Sequence, residues 1–533
     1  VSALVVLYSV LFHKLMALEG REFTWFTGVY WTLTVMSTLG FGDITFTSTV
    51  GRMFSMVVLL SGTVFLLILL PFTVIQFIYL PWIETQSAFR TPRRLPRATE
   101  GHVVLTNFDP VSSALMAKLR QYHYEHVLLV ADASEASRLA DLGLNVVTGY
   151  LDDEETYRNV NVGSAAMVAM TGTDIINANL AFIVRKASRT VPLVATATEL
   201  ASVDILEFAG IDQVFQLNDM MGKGLARHSR MREAPARIIG DFDELAIAEA
   251  NVAGTQLVGK VLEEVGLRRN LGLSIAGIWE RGRFEAALPT SRLGVDTVLV
   301  LAGSREQIDE FNARYRTHTV SDAPVVVIGG GRVGRSTASA LEELGAQTCI
   351  VEKRGERAAK SGNYVIGDAA AREVLEEAGI NDAPCVVITT HDDDTNLYLT
   401  MYCRRLCPNT QIVSRSTLER NVEQMHEAGA DFVLSYASMG ANALLSSLER
   451  SETVMVDEGL DVFRVKVPSA LVGKSISGSS IRRQSGCTVV AVGVGGDLEA
   501  NPDPSALLPA GGEMVLIGSV EAERRFLERY GAL

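Results

Sequence analysis

Charged positions are sparse before Ile83 and frequent after residue 100, and the apolar pattern changes at the same place. The opening run, VSALVVLYSVLFHKLMAL, is short for a bilayer span and reads as the end of a longer helix. From Met53 to Ile83 there are thirty-one residues without a charge. At about 1.5 Å per residue such a helix exceeds a hydrocarbon core of about 30 Å, so it is expected to tilt or project into the cytoplasm. Gly62 and Pro71 are places for it to bend, and Gly62 suits a hinge and a close-packing contact equally. Residues 23–42, FTWFTGVYWTLTVMSTLGFG, are also uncharged and could form a third span. They end in TLGFG, however, with only a short connection to the next apolar run. A half-length helix leading into an extended loop is therefore expected, since such backbone is tolerated at membrane depth where it lines protein or water. Arg90, Arg93, Arg94 and Arg97 follow the second apolar run, and basic loops stay inside. Everything after residue 84 is expected in the cytoplasm.

Beyond residue 100, short Val/Ile-rich runs alternate with helical segments, which predicts parallel sheets with crossover helices. The pattern occurs twice. GHVVLTNFDPVSSALMAKL returns as APVVVIGGGRVGRSTASAL, and LVGKVLEEVGLRRNLG returns as LVGKSISGSSIRRQSG, at offsets between 214 and 220 residues. A long fixed offset means a duplicated domain rather than a solenoid. The expected organisation is a two-span membrane domain at 1–84, a linker at 85–100, a first N-lobe at 101–239 and its C-lobe at 240–320. A second N-lobe at 321–454 and its C-lobe at 455–533 complete the chain.

Composition narrows the function. A net charge of −14 over 533 residues argues against a nucleic-acid partner. The five cysteines all lie in the C-terminal half, an odd and unpatterned set that fits reduced thiols better than a disulfide framework. Two acidic runs, Asp152 to Glu155 and Asp392 to Asp394, suit helix capping first and a divalent-cation site second. HYEH at 123–126 is expected to be a solvated turn rather than a zinc pair.

The chemistry starts in MSTLGFGDITF, residues 36–46. Glycines alternating with bulky residues let the backbone take conformations closed to others, so that successive carbonyls can point one way, towards an ion. Thr38, Leu39, Gly40, Phe41 and Gly42 resemble the selectivity filter of potassium channels. That resemblance implies potassium coordination by the carbonyls of Thr38, Leu39, Gly40 and Phe41, and by the Thr38 hydroxyl. Two positions depart from the usual filter: Leu39 replaces Val, and Phe41 replaces Tyr, losing the hydroxyl that would tie the loop to its helices. Asp43 is expected to hydrogen-bond behind the filter or to face outer solvent. One chain supplies one loop, and a closed ring needs four, so a homotetramer is expected.

The second candidate is VVVIGGGRVGRS, a strand followed by G-x-G-x-x-G at Gly329, Gly331 and Gly334. Gly329 suits the tight turn, Gly331 the approach of phosphate, and Gly334 close helix packing, although such glycines also serve a bare turn. Arg332 and Val333 open the helix, whose free N–H groups and dipole suit phosphate. Glu352 ends a second strand 23 residues past Gly329, placed for ribose hydroxyls. It disfavours a 2′-phosphate, making NAD, ADP or AMP the expected ligand, with Arg354 nearby as a counter-argument. Lys353 and Thr389 flank this site. In the first copy the matching loop is LTNFDPVSS, without the glycines, and Asp109 would face phosphate with the wrong sign. No dinucleotide is expected there.

The duplicated half resembles RCK domains, each a TrkA-N lobe followed by a TrkA-C lobe, and with the filter the chain resembles two-RCK prokaryotic potassium channels of the GsuK type. The fold this implies is a membrane all-α two-helix pore module with a pore loop, followed by two α/β Rossmann-like RCK domains, each with a small α+β C-terminal lobe. It also implies that Gly367 and Asp368 contact the base and that Arg415 contacts phosphate. Further implications are eight RCK domains in a gating ring under a tetrameric pore, and calcium or another divalent cation as a candidate second ligand. The expected function is a ligand-gated, potassium-selective channel in the cell membrane, and not an enzyme. A Trk/Ktr-like transporter component would carry four filter repeats in one membrane chain, and an NAD-dependent oxidoreductase would need a catalytic constellation that is not recognisable here.

Overall fold

The computed structural model describes residues 2–79, 91–229, 236–242, 245–280, 283–285, 287–294, 297–315, 323–357, 362–448, 453–457, 460–495 and 497–530. Arg90 and the junction expected near 320 lie outside the described residues. By contacts the chain divides into two units, Val1–Pro92 with Ala131–Thr148, and Arg93–Val130 with Gly149–Leu533.

In the first unit, helix Ser2–Leu18 precedes a shorter helix, Trp25–Met36, as the uncharged run 23–42 predicts. After Met36 the chain leaves the helix and does not re-enter one until Thr49. Aromatic side chains hold these pieces: Phe12 stacks on Trp31 with ring centroids 5.0 Å apart, and Trp31 stacks on Phe54 at 5.7 Å. The apolar run from Met53 differs from the single α-helix expected. It is α-helical over Thr49–Gly62, widens to π-helix over Thr63–Leu69, returns to α over Leu70–Val74 and widens again over Ile75–Tyr79. Pro71 has no N–H to give to the preceding turn and its ring crowds the carbonyl four residues back, which favours a locally wider helix. Among the described residues no helix is long and apolar enough to cross a membrane.

In the second unit the duplication is visible as topology. Strand Val325–Ile328 is central, with Thr348–Glu352 and then Tyr364–Ile366 on one side. Cys385–Ile388, Gln411–Ser416 and Phe432–Ser435 follow on the other side, and all these pairs are parallel. The first copy repeats this order from His126–Val130 through Val103–Leu105, Met167–Met170 and Leu193–Thr196 to Gln213–Phe215. Each copy lends its last helix to the other. Leu217–Ser229 packs on Arg332–Glu343, and Tyr436–Leu445 packs on Pro110–Gln121.

The C-lobes are five-stranded antiparallel sheets of matching order. They face one another through an apolar layer in which Ile247, Ala276 and Val300 of the first meet Val462, Val490 and Val515 of the second. HYEH departs from the solvated turn expected. His126 is buried at the start of a strand, because the strand register carries it inward.

Candidate functional site

The filter loop has a backbone of alternating handedness. Thr38, Gly40 and Gly42 have φ of 64°, 44° and 75°, while Leu39 and Phe41 between them are not left-handed. Alternation of this kind rotates successive peptide planes so that their carbonyls share one side, which a regular strand does not do. The loop is tied at its far end. The Tyr30 hydroxyl donates to Asp43 Oδ2 at 3.0 Å, and Trp31 Nε1 donates to the Ile44 carbonyl at 3.1 Å. Asp43 thus bonds behind the loop, and the tie absent from Phe41 comes from the helix instead. Gly62 packs against the end of that helix: a Cβ there would lie 2.3 Å from Met36 Cα and 2.5 Å from its carbonyl oxygen. Of its two readings, the structure displays the close-packing contact.

The glycine loop of the second copy is built around Glu352, which is buried. Its carboxylate accepts from the Gly330 amide and from the Arg354 amide, both at 2.8 Å, so it is oriented at the end of its strand while each oxygen keeps a free lone pair. Gly330, not singled out from the sequence, has to be small because a Cβ would lie 2.9 Å from that carboxylate. Gly329 has φ 105°, and a Cβ on Gly334 would sit 1.8 Å from the Gly329 carbonyl oxygen. Thr389 Oγ1 lies 3.0 Å from the carbonyls of both Ile328 and Gly329, pinning the turn. At Gly331, which precedes helix Arg332–Glu343, an added Cβ would meet nothing within 4 Å. That is open space at the end of a helix whose first amides point outward.

The remaining predicted residues divide. Lys353 Nζ and Asp368 Oδ2 form an ion pair of 2.7 Å, and the hydrogen bond from Lys353 holds the Asp368 carboxyl below its usual range. The Gly367 amide donates to the Glu352 carbonyl at 3.0 Å, which brings this group together at the rim. The Val333 side chain is buried in the core, leaving only its backbone at the loop. Arg415 lies near the end of strand Gln411–Ser416, with its guanidinium 5.0 Å from the Tyr436 ring centre and, among the described residues, no hydrogen-bond partner for its buried Nε. Burial lowers its pKa, and no hydrogen bond or ion pair joins it to the glycine loop among the described residues. Glu199 of the first copy, also not anticipated, accepts from Arg332 Nε at 2.6 Å.

In the first copy the corresponding helix end is closed by its own side chain. Asp109 Oδ1 accepts from the Ser112 amide at 2.8 Å, and Ser112 Oγ accepts from the Asp109 amide at 2.9 Å. Asp132, the counterpart of Glu352, accepts from the Glu135 amide at 2.7 Å instead. The acidic runs behave as caps: Asp153 accepts from the Glu155 amide, and Asp392 from the Thr395 amide. No cluster of three or more metal-ligating side chains occurs among the described residues.

Comparison with known proteins agrees with this layout. An ion-channel family model matches residues 1–78, the TrkA-N domain matches 103–217 and 325–436, and the TrkA-C domain matches 462–531. Potassium channel protein 1 of Methanocaldococcus jannaschii is 26% identical over 220 residues, which are 38% of this chain and 66% of the relative. A second potassium channel protein of that organism is covered over 65% of its length, so the chain spans just under two thirds of these two relatives. The Trk system potassium uptake protein TrkA homolog of Pyrococcus horikoshii is 26% identical over 37% of this chain and 92% of its own length. A solved structure of the GsuK RCK domain is 33% identical over 85% of this chain, with a TM-score of 0.60. The GsuK channel bound to NAD is 35% identical, covering 100% of this chain and 97% of its own, with a TM-score of 0.59. On that end-to-end match, with two TrkA-N domains behind one ion-channel segment, the chain belongs to the RCK-gated potassium channels that carry two RCK domains per chain, the GsuK type.

Proposed function

We propose that four copies of this chain surround one potassium-selective pore in the cell membrane, and that a cytoplasmic ring of eight RCK domains gates it in response to an adenine nucleotide. The observation that carries this reading is the alternating backbone of Thr38–Gly42 at the end of a short aromatic helix. Four such loops would present the carbonyls of Thr38, Leu39, Gly40 and Phe41 in place of an ion's hydration shell.

The nucleotide is assigned to the second copy. The open space at Gly331 and the helix end at Arg332 suit a diphosphate, and the buried, oriented Glu352 suits ribose hydroxyls. A relative 35% identical over the full length was solved with NAD, which supports NAD over a 2′-phosphorylated ligand. Bound nucleotide supplies a diphosphate and a ribose to these groups and no chemistry. Glu352 orients, Arg332 offers charge, and Gly329 and Gly334 shape the turn. A ligand of this kind changes gating only through different affinity for the open and closed rings. The Lys353–Asp368 pair would border the base, and Arg415 would have to reorient to meet a phosphate. Calcium or another divalent cation stays a subordinate part of the reading.

The test is potassium flux through the purified protein in liposomes, titrated with NAD, ADP and calcium in turn. Potassium-selective flux that responds to an adenine nucleotide is the expected result. Absence of selective flux under every condition would overturn the pore assignment.

A further inference from the structure

The two arginines placed at the nucleotide site so far are both engaged elsewhere. Arg332 is bonded to Glu199 of the first copy at 2.6 Å, and Arg415 lies over the Tyr436 ring. A third arginine, not singled out from the sequence, reaches the glycine loop itself. Arg335 is the fourth residue of helix Arg332–Glu343, and its Nη1 donates to the Gly330 carbonyl at 2.6 Å. Side chains of a first helical turn lean back towards the N-terminus, so this position overhangs the preceding loop.

Gly330 is buried and held from two sides. The Glu352 carboxylate accepts from its N–H at 2.8 Å, and the Arg335 guanidinium donates to its carbonyl. Among the described residues that is the one hydrogen bond the carbonyl accepts. A buried carbonyl without a donor is costly, so the shape of the loop depends on the guanidinium. The peptide unit is planar and trans, and turning the Gly330 carbonyl towards Arg335 therefore sends the next N–H, that of Gly331, to the opposite side. No acceptor takes the Gly331 amide among the described residues, and the helix it precedes has no side-chain cap.

Arg335 also brings a charge that no carboxylate neutralises. Among the described residues it forms no ion pair and no second side-chain hydrogen bond, so most of the five donors of its guanidinium are unspent. The first copy provides the contrast. The fourth residue of its helix Pro110–Gln121 is Ser113, and Asp109 caps that helix end by accepting from the Ser112 amide at 2.8 Å. The copy without a guanidinium at this position is the copy that closes its own helix end.

We propose that Arg335 is the positioning residue of the phosphate subsite in the second copy. It turns the Gly330 carbonyl away from the diphosphate, so that the Gly331 amide is presented instead, and it keeps a cation beside the loop while Arg332 is held by Glu199. The role rests on reading the second copy as an adenine-nucleotide site and adds to it the group that sets the loop for a diphosphate.

The test is calorimetry with ADP on the full-length protein in detergent, at KCl of about 50 mM and about 500 mM. Arg335→Gln should weaken ADP about tenfold at the lower salt, and its gap from the parent should narrow at the higher. Arg335→Lys is the second variant. It keeps the charge but not the planar fork, so it should follow the parent's salt dependence while binding ADP about threefold more weakly. A residue that merely held the fold would leave the gap between Arg335→Gln and the parent the same at both salts. That result overturns the proposal, as does ADP binding in both variants equal to the parent's. If the parent itself fails to bind ADP, the nucleotide reading falls and this role falls with it, whereas a parent that binds and variants that match it sink the role of Arg335 alone.

Discussion

Arg332 and Glu199 are joined through a hydrogen bond of 2.6 Å although 133 positions separate them. Arg332 opens the helix on which the second copy would seat a diphosphate, and Glu199 comes from the first copy. A carboxylate therefore already occupies the guanidinium that phosphate would seek. Both side chains are about half exposed, so the pair is worth on the order of 0.2–1 kcal/mol. Glu199→Gln is expected to raise NAD affinity by up to about fivefold at low salt, with the gain shrinking at high ionic strength. Calorimetry on the full-length protein reads this, and in an Arg332→Gln background the Glu199→Gln change should make no further difference. If nucleotide binds the parent and Glu199→Gln alone changes nothing, the two groups do not compete.

The glycines of the fingerprint make separable predictions. At Gly334 a methyl would collide with the Gly329 carbonyl oxygen, a backbone atom that cannot step aside, so Gly334→Ala is expected to cost about 1–3 kcal/mol of stability and to distort the turn. At Gly331 the same methyl has room, so Gly331→Ala should melt within about 0.5 kcal/mol of the parent and still bind NAD more weakly. Thermal melts paired with calorimetry separate the two. A Gly334→Ala protein that melts and binds like the parent would refute the close approach.

Much of this is legible in the sequence because it is local. The alternation of Gly40 and Gly42 with Leu39 and Phe41, the spacing of Gly329, Gly331 and Gly334, and the register of the repeats are short-range patterns that fix backbone geometry directly. What escapes depends on distant segments meeting. Glu199 is an ordinary charged residue until the first copy brings it to Arg332, and Gly330 reads as filler until Glu352 bonds to its amide. The change to π-helix after Gly62 is invisible for another reason: a run that is apolar on every side carries no periodicity to betray its pitch. His126 misleads because a polar tetrad looks like a turn, whereas the strand behind it draws the imidazole inward.

Gly62 also discriminates between a hinge and a contact. Its would-be Cβ meets backbone atoms of Met36, so Gly62→Ala should push the apolar helix off the end of the aromatic helix. The expected result is a lower melting temperature of the assembled pore and loss of most potassium flux. A hinge alone would leave the melt unchanged and alter only the response to nucleotide, and that outcome would exclude packing as the role of this glycine.

Glu19 predicts how the loop after the filter responds to acid. Its Oε1 accepts from the Ser48 amide at 2.9 Å, and its Oε2 from the Thr47 amide at 3.1 Å and the Thr47 hydroxyl at 2.9 Å. These bonds, with Ser48 foremost, hold its pKa down to about 2 from an ordinary 4.5. A carboxyl whose pKa is depressed on folding contributes fully above its unfolded value and loses that contribution as pH falls through the folded one. The tie between the first helix and the segment leading to Thr49 should therefore be intact at neutral pH, persist at pH 4 and fail only towards pH 2. Flux measured with the Glu19 side acidified stepwise from pH 7 to 4 should stay level, apart from any effect of permeating protons. Glu19→Gln keeps the size but loses the charge that strengthens three accepted bonds. It should lower thermal stability at neutral pH, and its difference from the parent should shrink as pH falls from about 4.5 towards 2. A parent protein whose stability relative to Glu19→Gln stayed level from pH 5 down to pH 2 would mean that Glu19 titrates alike in the folded and unfolded chain and that these bonds do not hold the loop.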